Sequence, residues 1–224
     1  YVEPTYYFCC RQSQQDSWFL HRHFGISHIG PAHRKSLYLS LVWAHLGYAC
    51  EIWAPQSSVS DIRFLENVQR RATGFILNCS KDHHIRPDYK CRLIQLNLLP
   101  VSYWLECRDL CFAYKYLNGY FNLQLDDFFK ISSGRTRSCD DSLHLYPVHH
   151  YRTSLFRDSY FNRIVPLWNC LPLDIRKSAS FCSFKSRLNK HYFNKLTTIF
   201  NSARLSTWKT ICPYCRSVDS SSCC

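Results

Sequence analysis

Apolar residues recur at three- and four-residue steps over several stretches of the chain, and this spacing predicts helices. The first signal covers about 33–55 and is apolar on nearly every side, which is typical of a central helix covered on several faces. The second, about 58–78, is amphipathic. Its apolar stripe is formed by Ile62, Leu65, Val68, Ala72, Phe75 and Ile76, and its opposite face by Arg63, Asn67, Arg70 and Gly74.

Three later segments also have helical character. Residues 89–98 form a short predicted helix, and 102–118 a long one that Gly119 closes with a left-handed residue. Ser180 is a predicted N-cap for a last helix that extends to about Phe200. The predicted fold class is therefore mainly α, a helical bundle.

The pattern divides the chain into four parts. Residues 1–32 contain the breakers Pro4, Gly25, Gly30 and Pro31 and are expected to be a poorly ordered lead-in. Residues 33–121 form the bundle. Residues 122–200 combine loops, short strands around 143–148 and the terminal helix, and 201–224 are a cysteine-containing tail that we expect to be poorly ordered.

Composition indicates a folded protein with a basic surface, and the charge alone does not decide whether that surface binds nucleic acid. The 224 residues are 46% hydrophobic, enough to bury a core, and 28 Lys and Arg against 16 Asp and Glu give a net charge of +12. Such a charge favours an acidic partner, with an inert basic surface as the alternative. Arg63 and Arg70 lie two turns apart, and Gly74 is expected to leave the backbone open beside them, so this face suits phosphate contacts. The alternative is a solvated face on which Glu66 and Arg70 form a supporting pair.

Cysteine usage and the longest apolar run point away from secretion and from membranes. The 14 cysteines are scattered, and residues 1–15 lack the basic and apolar segments of a signal peptide, so we expect reduced thiols. The apolar run 37–54 contains Ser40, His45, Gly47 and Glu51, which favours a buried helix over a membrane span. The chain has no Met, and we expect it to be an excised or degraded fragment.

No motif predicts catalysis. The acidic pairs Asp126–Asp127 and Asp140–Asp141 lack the aromatic residue two places earlier that a two-metal polymerase turn requires. A zinc site is one interpretation of Cys212, Cys215, Cys223 and Cys224, with simple tail thiols as the alternative. Trp168, followed by Leu171 and Pro172, suits either base stacking or core packing, and its helical spacing with Ile164 and Leu167 favours the core.

Several short blocks, in order, resemble the region downstream of the polymerase domain in reverse transcriptases of non-LTR retrotransposons, the jockey-like and chicken-repeat-like long interspersed elements. The blocks are Leu37 and Tyr38, Leu41 and Val42, Tyr48 and Ala49, Trp53 and Pro55, Glu66 with Val68, Gln69, Arg70 and Arg71, 92–104, 109–119, 135–137, 151–156 with Arg163, 167–172, 184–188 and 207–212. Trp18 and Trp43 depart from the pattern, at positions where the family usually has Gly and Arg.

The resemblance implies a thumb-like helical region, 33–121, that follows a missing catalytic palm. It further implies a non-catalytic role in intracellular ribonucleoprotein, nuclear or cytoplasmic, with RNA or DNA held by sequence-independent backbone contacts. The candidate phosphate contacts are Arg63, Arg70, Arg71, Arg135, Arg137, Arg187 and Lys190. The alternatives are an independent small zinc-dependent nucleic-acid-binding or scaffold protein, and a translated relic without function.

Overall fold

The computed structural model describes residues 3–24, 29–54, 58–79, 87–121, 128–131, 143–147 and 153–202, and it is mainly helical, as predicted. These residues form two compact units, one from the described residues of 1–104 and 193–202 and the other from those of 105–192. Both boundaries fall inside helices. The elements are α1 (Glu3–Phe24), α2 (Pro31–Gly47), α3 (Cys50–Trp53), α4 (Val59–Ile76), α5 (Tyr89–Gln95), α6 (Val101–Leu117), β1 (Phe129–Ile131), β2 (Leu145–Pro147), α7 (Ser154–Arg157), α8 (Tyr160–Asn169), α9 (Leu173–Arg176) and α10 (Phe181–Ser202).

The first unit begins with a helix that the sequence pattern did not predict. Residues 1–32 were expected to be irregular, but α1 occupies Glu3–Phe24. Pro4 lies in the first turn of α1, where its missing N–H costs no hydrogen bond, and Pro31 is the first residue of α2. Both prolines therefore start helices. The buried row of α1 consists mostly of small residues, namely Cys9, Cys10, Ser13, Ser17 and Leu20.

The predicted helix over 33–55 is interrupted. α2 ends at Gly47, and α3 begins after Ala49, whose φ of 49° is left-handed. Arg34, Tyr38, Val42 and Leu46 form one buried row of α2. The expectation of a helix covered on several faces was wrong, because Leu39 and Leu41 are each 36% exposed. Apolar composition alone did not reveal how many neighbours this helix has.

The sequence pattern predicted helix α4 well. Ser58 caps it by accepting a hydrogen bond from the backbone N–H of Asp61, at 3.3 Å. All six residues of the predicted apolar stripe are buried.

At the end of α6, Gly119 has a φ of 72°, and its N–H donates to the carbonyl oxygen of Tyr116. The predicted left-handed closure is therefore confirmed.

The second unit contains a two-stranded antiparallel sheet beside helices. In β1 and β2, Phe129 lies opposite Pro147 and Ile131 opposite Leu145, which confirms a short strand near 143–148. The side-chain amide of Asn169 on α8 holds β2 by two hydrogen bonds of 2.9 Å to the backbone of Leu145. Helices α7, α8 and α9 were not predicted as separate elements.

The core of the second unit combines aromatic packing with a buried ion pair. Trp168 and Phe184 stack at 6.0 Å between ring centroids. Arg163 donates two hydrogen bonds of 3.1 Å to the carboxylate of Asp109, and both side chains are buried. Ser180 accepts from the N–H of Ser183, which confirms the predicted cap of α10. Across the described ranges, no helix is both long and apolar enough to span a membrane.

Candidate nucleic-acid interface

The exposed face of α4 carries a row of polar side chains. Arg63, Asn67 and Arg71 are exposed and follow one another at four-residue steps. Such residues lie on one side of a helix, and the row spans about 12 Å along the axis at about 1.5 Å per residue. Two guanidinium groups at that separation can each bind a phosphate while the amide between them donates a hydrogen bond.

Arg70, predicted as part of this row, belongs to a different environment. Its side chain is only partly exposed, and its guanidinium carbon lies 4.8 Å from the centre of the Tyr89 ring. Its backbone carbonyl accepts a hydrogen bond of 3.0 Å from Arg92. Helix α5 thus covers this part of α4, and Arg71 occupies the place in the row that the pattern assigned to Arg70.

Gly74 was predicted to leave the backbone open beside this row, and that prediction was wrong. The residue is buried, and its carbonyl oxygen accepts a hydrogen bond of 3.0 Å from the N–H of Cys79. Its backbone is therefore engaged at the end of the helix and is not offered to a ligand.

Glu66 is not the surface partner of Arg70 that the alternative interpretation assumed. The residue is 6% exposed, and its carboxyl oxygens accept hydrogen bonds from the Tyr89 hydroxyl and, at 3.0 Å, from the N–H of Val101. Burial raises the pKa of Glu66 to about 7, against the opposing effects of these two hydrogen bonds and of the Arg70 charge. The acidic residues of α4 are thus this buried group and Asp61 in the first turn, so the exposed row keeps its positive charge.

Arg71 also lines a groove between α4 and α1. The groove has a volume of about 150 Å³ and is bounded by Gln14, Ser17 and Trp18 of α1 and by Val68 and Arg71 of α4. Sequence reasoning missed the α1 side, because it expected no helix there. The signal that could have found it is the spacing of Arg11, Trp18 and Arg22, which a helix places on one side.

The candidates on α10 lie in the second unit. Arg187 and Lys190 are both exposed. Nη1 of Arg187 donates a hydrogen bond of 2.8 Å to the carbonyl oxygen of Asp174, which fixes this guanidinium beside α9. Lys190 presents a mobile ammonium on a flexible stem, which suits a nonspecific phosphate contact.

Other predicted sites fall outside the described residues. These are Arg135 and Arg137, the acidic pairs 126–127 and 140–141, and the possible zinc ligands Cys212, Cys215, Cys223 and Cys224. Within the described ranges, no group of three or more His, Cys, Asp or Glu residues could hold a metal ion. In the same ranges Cys9, Cys79, Cys91, Cys170 and Cys182 are free thiols.

Trp168 is a core residue and not a stacking platform. Only 2% of it is exposed, and its indole N–H donates a hydrogen bond of 2.9 Å to the carbonyl oxygen of Leu143. Leu171 and Ile164 are buried with it. The structure confirms the core interpretation that the helical spacing favoured.

In comparisons with family models, curated proteins and solved structures, nothing matches this chain.

Proposed function

We propose that this chain is a non-catalytic C-terminal part of a non-LTR retrotransposon reverse transcriptase, and that it binds the backbone of RNA or DNA without sequence preference. The sequence blocks support the ancestry, and the exposed row of Arg63, Asn67 and Arg71 is the observation that carries the binding proposal. In an intact polymerase, such a region would hold template or target strands beside the palm.

The row supports backbone contacts and not base reading. Guanidinium groups bind phosphate oxygens in the same way whatever the base, so the contacts supply affinity without sequence choice. The net charge of +12 adds a long-range attraction for a polyanion. Binding of this kind releases counterions from the nucleic acid and therefore weakens as salt rises.

The binding proposal is tested by salt titration. Purified chain is titrated with single-stranded RNA at several salt concentrations between about 50 and about 200 mM, and affinity is measured by fluorescence anisotropy. Replacing both Arg63 and Arg71 with Gln should reduce the slope of log affinity against log salt by about 1.4, at about 0.7 per lost phosphate contact. The double change Lys130→Gln with Lys177→Gln, two exposed cations outside α4, is the matched control for the loss of two charges. Affinity that ignores salt would refute the proposal, as would equal effects of the double variant and the control.

The ancestry is tested separately, in the genomic DNA that precedes this coding sequence. An in-frame Phe- or Tyr-x-Asp-Asp motif and an endonuclease reading frame upstream would support it. A separate promoter and start codon would instead support an independent protein. Neither result depends on whether the purified chain binds RNA.

A further inference from the structure

The exposed side of α1 presents a large aromatic surface. Trp18 is 60% exposed, although the indole is the side chain with most apolar area to bury. The guanidinium carbon of Arg22, one turn later, lies 5.0 Å from the centre of the indole ring. The Trp18 indole is thus held beside a cation while most of its surface remains available to a ligand.

The groove beside Trp18 has the dimensions of a single flat ring system. A volume of about 150 Å³ is comparable to that of a protein cavity that takes up benzene. Val68 supplies an apolar contact, and Gln14 supplies an amide that both donates and accepts hydrogen bonds. A flat ligand with polar edges fits this combination of walls.

The charge around the groove is positive. Arg11, Arg22 and Arg71 are exposed on the helices that form it. Asp16, the acidic residue nearest to Trp18 along α1, is turned to α2, where Nδ1 of His45 lies 2.8 Å from its Oδ2 atom. A ligand in this groove therefore meets an aromatic face flanked by cations, which is complementary to an unpaired base joined to phosphates.

We propose that the groove between α1 and α4 binds one unpaired base of single-stranded RNA or DNA, which stacks on Trp18. Arg22 and Arg71 contact the phosphates on either side of that base, and the row on α4 continues the contacts along the strand. The inference rests on the proposed function, because the row supplies the adjoining backbone contacts. It adds a preference for single strands, since bases in a duplex are already stacked on one another.

Three ligands of the same length, about 12 nucleotides, separate stacking from charge. They are a single-stranded RNA, the same strand with abasic sites, and a duplex. The variants are Trp18→Leu, Trp18→Phe, and Tyr48→Leu as a matched control for loss of an exposed aromatic residue elsewhere in the same unit. Because Trp18 is largely exposed, its replacement should leave the fold intact, which circular dichroism checks.

We expect Trp18→Leu to weaken binding of the ordinary single strand by about fivefold to a hundredfold, the usual effect of losing one stacked base. Trp18→Phe should recover part of the affinity, and Tyr48→Leu should change little. The abasic strand and the duplex should bind Trp18→Leu and the wild type equally.

Salt-dependent binding with no difference between ordinary and abasic strands would overturn the stacking site and leave the proposed function standing. Loss of binding to all three ligands in Trp18→Leu alone would also overturn it, because stacking cannot explain that result. Binding that ignores salt for every ligand would overturn the proposed function itself.

Discussion

Glu66 offers a direct test of the packing between α4, α5 and the start of α6. Its carboxyl group is buried, and Tyr89 and Val101 donate hydrogen bonds to it. Burial removes the water that would stabilise a charge, so the pKa rises from an ordinary value of 4.5 to about 7. Replacing Glu66 with Gln keeps the shape and removes the titrating group.

The sign of the pH dependence follows from which state holds the proton. Between pH 4.5 and about 7 the folded protein keeps Glu66 neutral, while in the unfolded chain the same group ionises. The folded state therefore binds more protons, and the free energy of unfolding falls as pH rises through this range. The interval from 4.5 to about 7 corresponds to about 3 kcal/mol, at about 1.36 kcal/mol for each pH unit. Below pH 4.5 both states are neutral, and above about 7 the loss is complete.

The assay is urea unfolding of wild type and Glu66→Gln at about pH 5 and about pH 8. We expect similar stability at the lower pH, and a variant more stable than wild type by up to about 3 kcal/mol at the higher pH. Glu51→Gln serves as the control for the loss of one negative charge. A Glu66→Gln variant that is less stable than wild type by the same amount at both pH values would refute the reasoning, because it would mean that the folded protein holds Glu66 as a carboxylate.

Three further predictions concern stability and use the same unfolding measurement. Asp109→Ala should lower the free energy of unfolding by about 3–5 kcal/mol, because it leaves the Arg163 charge buried without its partner. The double change Asp109→Leu with Arg163→Met should recover much of that loss. A double variant whose loss equals the sum of the two single losses would contradict this. Ser58→Ala should lower the free energy of unfolding by about 1 kcal/mol, because α4 loses its cap. An unchanged urea concentration at the midpoint of unfolding would show that the cap contributes nothing. Trp168→Ala should cost about 3–5 kcal/mol, while Trp18→Leu should stay within about 0.5 kcal/mol, and similar costs would contradict the assigned burial.

The elements that sequence reasoning predicted well share a strong local signal. Helix α4 has one apolar stripe and a serine cap, α6 ends at a glycine with positive φ, and α10 begins after Ser180. In each case the periodicity and the end signal agree with the tertiary packing. Local rules suffice where the neighbouring helices cover the face that the pattern already marks as apolar.

Helix α1 shows where the same rules fail. Its buried positions hold Cys9, Ser13 and Ser17 in place of large apolar residues, so the hydrophobic pattern is weak. The Ser13 hydroxyl donates to the carbonyl oxygen of Cys9 at 2.7 Å, so its polar group is satisfied inside the helix itself. Trp18, the most conspicuous apolar residue of the segment, lies on the exposed side. A method that assigns large apolar residues to the core therefore places this helix the wrong way round or misses it.

The position of the candidate interface depends on which of two adjacent arginines lies on the exposed face of α4, and the periodicity of the sequence cannot decide this. Arg70 and Arg71 lie about 100° apart around α4, and both fall outside the apolar stripe. Which of them faces solvent depends on where α5 packs, and α5 brings Tyr89 against Arg70. Arg71 is then left on the side that meets α1, beside Trp18. The tertiary contact thus changes the chemistry of the proposed surface, because it brings the exposed arginines of α4 beside the aromatic face of Trp18 on α1.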